Sequence, residues 1–204
     1  MARDVRVHDP NDTMATARAA AGEGWQWTRI QREGCPQCGD NPSSRPPGEL
    51  GPLAVERAAR WREFLEQADD AFLRTNPEGE VFVFSPLQYG AHTRDMLKVY
   101  GDRMVLGLEQ TNPTVPLFFP TEEVFESYNR LDAGELGDDM ERCAERLATL
   151  VAAMDPSSWS RTVTNDRGVY GVYTFSLAGL ACNAVHEAHH HLLDATGTLG
   201  TTPA

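Results

Sequence analysis

The sequence predicts an all-α fold: a four-helix bundle with a short hairpin before its last helix and an irregular arm at its N-terminus. Three observations carry this. Apolar residues recur at spacings of three and four along four long stretches. Pro and Gly punctuate the chain between those stretches. The 204 residues suit one domain with a full hydrophobic core.

Residues 1–24 are polar and rich in Ala and Gly without clear periodicity, the composition of a loose arm. Residues 25–52 open with Trp25-Gln26-Trp27, pass through Cys35-Pro36-Gln37-Cys38-Gly39 and end in a Pro/Gly/Ser stretch that disfavours helix. From Leu53 the pattern changes. Leu53, Val55, Ala58, Trp61, Phe64, Leu65, Ala68, Phe72 and Leu73 predict one helix over 52–75, stopped by Asn76-Pro77 and Gly79. Ser85-Pro86 opens a second, with Ser at the N-cap and Pro at the first helical position, running to about Glu109. Three prolines within 110–120 predict a loop, and Thr121-Glu122-Glu123-Val124 the start of a short helix. Leu136, Met140, Cys143, Leu147, Leu150 and Val151 mark a third long helix from Gly134 to Met154, ended by Asp155-Pro156. Trp159 to Tyr173 alternates polar with β-branched or aromatic residues around Asp166-Arg167-Gly168, which predicts a hairpin. Thr174 to Ala195 is the fourth helix, and Gly197 stands where a C-cap belongs. The chain thus divides into an arm over 1–52, a bundle over 53–197 and a tail over 198–204. Trp61, Phe64, Phe72, Leu97 and Leu180 are expected in the core, as are Cys143 and Cys182.

The net charge of −12 argues against nucleic-acid partners and anionic membranes, whose phosphates repel an acidic surface. The expected partner is a small molecule. No long apolar run is present, and the polar start lacks a signal-peptide core, so a cytoplasmic location is expected. Four cysteines, at 35, 38, 143 and 182, are too few and too scattered for a disulfide framework and suit a reducing compartment. Bundles of this size often dimerise, so a homodimer is one option.

Five of the six histidines fall in two predicted helices: His92 in the second, and His186, His189, His190 and His191 in the fourth. Residues i and i+4 share a helix face, so His186 and His190 point the same way. Two imidazoles so spaced can chelate one ion at about 2.0–2.1 Å per bond. His92 can complete the set from a facing helix and leave positions open. His189 and His191 are expected to support that site or lie outside it. The competing reading of each histidine is a core or solvated helix residue. His186 to His190 also spells H-E-x-x-H, as in zinc proteases. Its context differs, because only fourteen residues follow His190 and Leu193 and Thr196 stand where the extended metzincin pattern wants Gly and His.

Phe84-Ser-Pro-Leu-Gln-Tyr-Gly-Ala-His92-Thr-Arg-Asp95 resembles the W-S-P-L-E-Y-x-x-H-x-R-D segment of actinobacterial DinB-like proteins. His186-Glu-Ala-His-His190-His191-Leu-Leu-Asp194 resembles their H-D-x-x-H-H-x-x-D segment, and Tyr128-Asn129 matches a Tyr-Asn pair between helices two and three. Phe84 departs from the usual Trp, and Glu187 from the usual Asp. The resemblance covers roughly residues 55–195. It implies a DinB-like four-helix bundle that binds a divalent metal through His92, His186 and His190, zinc first, with nickel or iron as alternatives. The superfamily includes mycothiol-dependent isomerases and S-transferases, so the resemblance implies a metal-dependent transferase or isomerase that uses a low-molecular-weight thiol, mycothiol, on a small electrophile. A coordinated thiol is deprotonated by the ion's charge, and the thiolate is the nucleophile. Two other readings stay open. One is a metal-dependent hydrolase or lyase with Glu187 as base. The other is a non-catalytic metal-binding bundle.

Asp95 and Asp194 could each orient an imidazole from behind, with a solvated face as the plain alternative. Arg94 could hold an anionic group, or pair on the surface. Cys35 and Cys38 form half of a zinc ribbon. They read as a structural turn, as a redox pair or pocket thiols, or as a second metal site.

Overall fold

The computed structural model describes residues 28–76, 84–118, 120–166 and 171–198. The expected loose arm over 1–24, Trp25, Trp27, the helix stop at Pro77 and Gly79, the turn at Arg167-Gly168 and all but the first residue of the tail lie outside them.

Four long helices form where the apolar periodicity places them: α1 (Leu50–Gln67), α3 (Pro86–Glu109), α5 (Ala133–Ala153) and α6 (Leu177–Ala195), with the short α2 (Asp70–Leu73) and α4 (Glu122–Tyr128) between. Three of the four start at a capping side chain. Ser85 and Gln88 make a complete capping box on α3, Asp132 accepts from the Glu135 amide on α5, and Ser176 accepts from the Gly179 amide on α6. α1 instead grows out of the 3₁₀ turn Pro47–Glu49. α1 packs chiefly on α5 and α3 on α6, and the α3–α5 and α1–α6 contacts close the bundle. Its axis is filled by Trp61, Leu97, Met104, Leu136, Met140, Leu147 and Leu180.

Several expectations need correction. The helix predicted over 52–75 is two helices, because Ala68 is extended and Asp69 caps a new start through the Ala71 and Phe72 amides. Phe72 rides on that short piece and is 49% exposed rather than buried. The expected loop over 110–120 contains β1 (Thr114–Pro116), which pairs parallel with β2 (Thr162–Asp166). Its proline is tolerated because β1 is an edge strand. The expected hairpin is present as β2 and β3 (Val172–Ser176), antiparallel, with Thr174 opposite Thr164. β3 therefore takes three residues assigned in advance to the last helix. Val163 and Phe175 turn inward to the core, and Arg161 donates to the carbonyls of Gly107 and Gln110 at the end of α3.

The segment before α1 docks on the bundle. Ile30 and Cys35 join the same hydrophobic core as the helices. Gly179 makes room for the approach: a Cβ there would stand 2.6 Å from the Gln31 side-chain oxygen. No helix among the described residues is long and apolar enough to cross a membrane.

Candidate metal centre

α6 carries Val185-His186-Glu187-Ala188-His189-His190-His191 in about two turns. Successive residues are rotated by about 100°. His186 and His190 share one face, and Glu187 and His191 share the next. α3 packs on α6 and supplies His92, while the segment before α1 crosses the other face and supplies Cys35 and Cys38.

The donor atoms assemble accordingly. His92, Glu187 and His191 form one group, Cys35, Cys38, His186 and His190 a second, and His190, His191 and Asp194 a third that touches both, with the donor atoms of each group within 4.8 Å of one another. The expected set of His92, His186 and His190 is thus divided between the first two. In the first group Glu187 Oε2 lies 2.9 Å from His191 Nε2 and 3.7 Å from His92 Nε2. The Tyr100 hydroxyl donates to Glu187 Oε1 at 3.4 Å. Burial alone would raise the Glu187 carboxyl, but the two facing imidazoles outweigh it and hold the group ionised, below the usual carboxylate range. Burial likewise opposes charge on His191, but Asp194 and Glu187 push its pKa up to about 10. Glu187 and His191 thus form a buried ion pair, with His92 alongside. Two imidazoles and one carboxylate are a donor set suited to zinc and similar ions.

Around this group stand aromatic rings. Tyr89 stacks on His191 with ring centres 5.3 Å apart, and Phe125 of α4 stacks on His92 at 6.1 Å. Phe84, the residue in place of Trp, lies 4.2 Å from Phe125 between ring centres.

In the second group Cys38 Sγ is 3.5 Å from His186 Nε2, and Cys35 Sγ is 3.7 Å from His190 Nδ1. Both cysteines are free thiols. Burial, with His190 alongside, pulls His186 down to about 3, and burial also lowers His190, so both are neutral imidazoles. Burial pushes the Cys38 thiol up to about 12.

The remaining expectations resolve as follows. Asp194 bonds His191 Nδ1 at 2.8 Å and lies 3.6 Å from His190 Nε2, behind both imidazoles rather than on a solvated face. Asp95 accepts from the Tyr128 hydroxyl and pairs with Arg94. Arg94 pairs with Asp95 and Asp139 in the α3–α5 groove, whose other cations, Lys98, Arg142 and Arg146, are also matched by Asp102 or Asp139. His189 hydrogen-bonds the Cys38 backbone. Glu187 is expected from the sequence as a base rather than a ligand, and His191 as a support or outside the site. Their own i,i+4 spacing, one residue out of step with His186 and His190, is the signal that marks them.

The knuckle is held by a buried ion pair. Arg57 of α1 donates to both Asp40 carboxylate oxygens, at 2.7 and 2.8 Å, and to the Val185 carbonyl beside His186 at 2.7 Å. Asp40→Ala should therefore destabilise the protein by about 3–5 kcal/mol in urea unfolding, because it strands a buried guanidinium. Burial opposes ionisation of Asp40, but the Arg57 hydrogen bonds outweigh it and lower its pKa below 3.8. The stabilisation is then present above the usual carboxylate range and lost as pH falls through the lowered value. The difference between wild type and variant should shrink in acid; a gap constant with pH would assign it to packing.

The fold defines a helical-bundle class whose histidine-bearing helices carry donor groups that could hold a metal ion. A family model described as the DinB superfamily matches residues 53–193. The chain belongs to the DinB superfamily. Comparison with the curated proteins gives no match. Among solved structures, YfiT from Bacillus subtilis, described as a probable metal-dependent hydrolase with an unusual four-helix bundle topology, superposes with a TM-score of 0.63. The match is 16% identical and covers 74% of this chain and 85% of that one, a likeness of fold.

Proposed function

We propose that the protein is a metal-dependent enzyme whose reaction centre is the His92, Glu187 and His191 group, and that it transfers or isomerises a small electrophile by way of a low-molecular-weight thiol, mycothiol. The observation that carries this reading is the convergence of two imidazoles and one buried carboxylate from two helices. Three protein donors leave a position for a reactant, whereas four close a site. His92, Glu187 and His191 would hold a divalent ion, zinc first, which would supply Lewis acidity to lower the pKa of a bound thiol or water.

The side chains do the rest. Glu187 contributes the one negative charge of the set, and Asp194 orients His191 through Nδ1. Tyr89 and Phe125 stack on the two imidazoles, with Phe84 against both rings, an apolar surrounding that suits a carbon electrophile. Glu187 is 4% exposed at its side chain, with one oxygen facing Tyr100 and the other facing the imidazoles. It is therefore poorly placed as a general base.

Hydrolysis is the second reading, favoured by the description of YfiT. The deciding experiment incubates the metal-loaded protein with an electrophilic substrate panel, with and without mycothiol, for wild type and His92→Ala. Thiol-dependent turnover that falls by about 100-fold or more in His92→Ala supports the proposal. Metal-dependent turnover that ignores the thiol replaces it with hydrolysis. Failure of the zinc-loaded protein to bind mycothiol overturns the thiol step.

A further inference from the structure

The knuckle over Cys35–Asp40 has the form of a metal-binding turn. Gly39 sits at φ +72°, its amide donates to the Cys35 carbonyl at 2.9 Å, and the Cys35 amide donates to the Asp40 carbonyl at 2.7 Å. The Asp40 backbone hydrogen-bonds the Cys38 sulfur. Each thiol of this turn then meets an imidazole nitrogen of α6 across more than a hundred residues of chain.

The spacing suits coordination as well as hydrogen bonding. Zinc–sulfur bonds of about 2.3 Å and zinc–nitrogen bonds of about 2.0–2.1 Å at tetrahedral angles put sulfur and nitrogen about 3.6 Å apart. The two S···N separations are 3.5 and 3.7 Å, and all four donor atoms lie within 4.8 Å of one another. Cys35, His186 and His190 are buried and Cys38 half-buried, so the set is closed to substrate. Two thiolates and two neutral imidazoles balance a dication, so the filled site buries no net charge. His190 would ligate through Nδ1, with Asp194 3.6 Å from its Nε2 as the outer carboxylate that zinc-bound imidazoles commonly have.

We propose that Cys35, Cys38, His186 and His190 hold a structural zinc ion that staples the N-terminal knuckle to the last helix, one residue out of step with the reaction centre on that helix. Binding replaces two thiol protons, released to solvent, by two Zn–S bonds, with no redox change. The staple fixes the rotation of α6, and with it the direction of Glu187 and His191. It stands on its own donors, whether or not the neighbouring centre is catalytic.

Cobalt(II) tests this, because only this group among the described residues offers it sulfur. The reduced full-length protein loaded with cobalt should show thiolate-to-cobalt charge transfer and intense tetrahedral d–d absorption, at about one equivalent per chain and displaced by zinc. The bands should vanish in Cys38→Ser and persist in His92→Ala. Their absence from wild type, their survival in Cys38→Ser or their loss in folded His92→Ala would overturn the proposal. A second measurement needs no variant. Native alkylation followed by peptide mapping should find Cys35 and Cys38 protected with zinc and labelled after chelation, with Cys143 and Cys182 as internal references. Equal labelling of Cys35 and Cys38 in the two states rejects the site, even if Cys38→Ser fails to fold.

Discussion

Glu187→Gln is expected to lower the affinity of the His92, Glu187 and His191 group for a divalent ion by more than about 100-fold. Partners one shell out from a metal already change affinity by about 10–100-fold, and Glu187 would be a direct ligand and the only anion in the set. The amide keeps the shape of the side chain but removes the charge to which both imidazoles respond. Its effect therefore separates electrostatics from packing. Competition against a chromophoric chelator measures it, and the cobalt–thiolate absorption of Cys35 and Cys38 serves as an internal control in the same sample. An affinity within about tenfold of wild type would move Glu187 out of the ligand set and reduce it to an outer partner of His191. Loss of the cobalt–thiolate signal as well would mean that the two groups are one site.

The largest effect on stability is expected at Trp61. It is fully buried on α1, makes an edge contact with Phe64, and donates from Nε1 to the Ala188 carbonyl at 2.7 Å. Ala188 lies between Glu187 and His189 on α6, so this one side chain joins the first helix to the histidine-bearing turn. Trp61→Ala should lose about 3–5 kcal/mol in urea unfolding through the cavity it leaves. Trp61→Phe keeps most of the apolar surface and should lose about 1–3 kcal/mol, chiefly from the stranded carbonyl and the smaller ring. Equal losses in the two variants would show that the hydrogen bond, not the volume, dominates. A loss below about 1 kcal/mol in Trp61→Ala would show that the bundle collapses around the gap.

Local chemistry made the helices legible. Ser85-Pro86 starts α3 where its side chains predict, and α5 starts at Ala133, one residue before the predicted Gly134, because Asp132 caps it through the Glu135 amide. The break after Gln67 was hidden because Ala68, Phe72 and Leu73 continue the apolar spacing, while Asp69, a capping residue, restarts the helix. β1 was hidden for a different reason. Nothing in a proline-rich stretch announces that β2, some fifty residues later, offers it an edge. Phe72 shows the limit of reading burial from spacing, since a pattern names a face without naming what covers it.

The candidate site divides along the same line. Residue types and intervals alone place a His pair and a Glu–His pair on adjacent faces of one helix, put His92 on another, and set two thiols in a turn. An i,i+4 interval says which side chains point together, because it depends only on helix geometry. It carries no record of which neighbour each face meets. That was decided by packing: α3 lies against the Glu187 and His191 face, and the knuckle lies against the His186 and His190 face, held there by Arg57 and Asp40. The contacts of Cys35 with His190 and of Cys38 with His186 span 155 and 148 residues. Only the folded chain brings such distant positions together, and so only the fold could split one run of histidines between two groups.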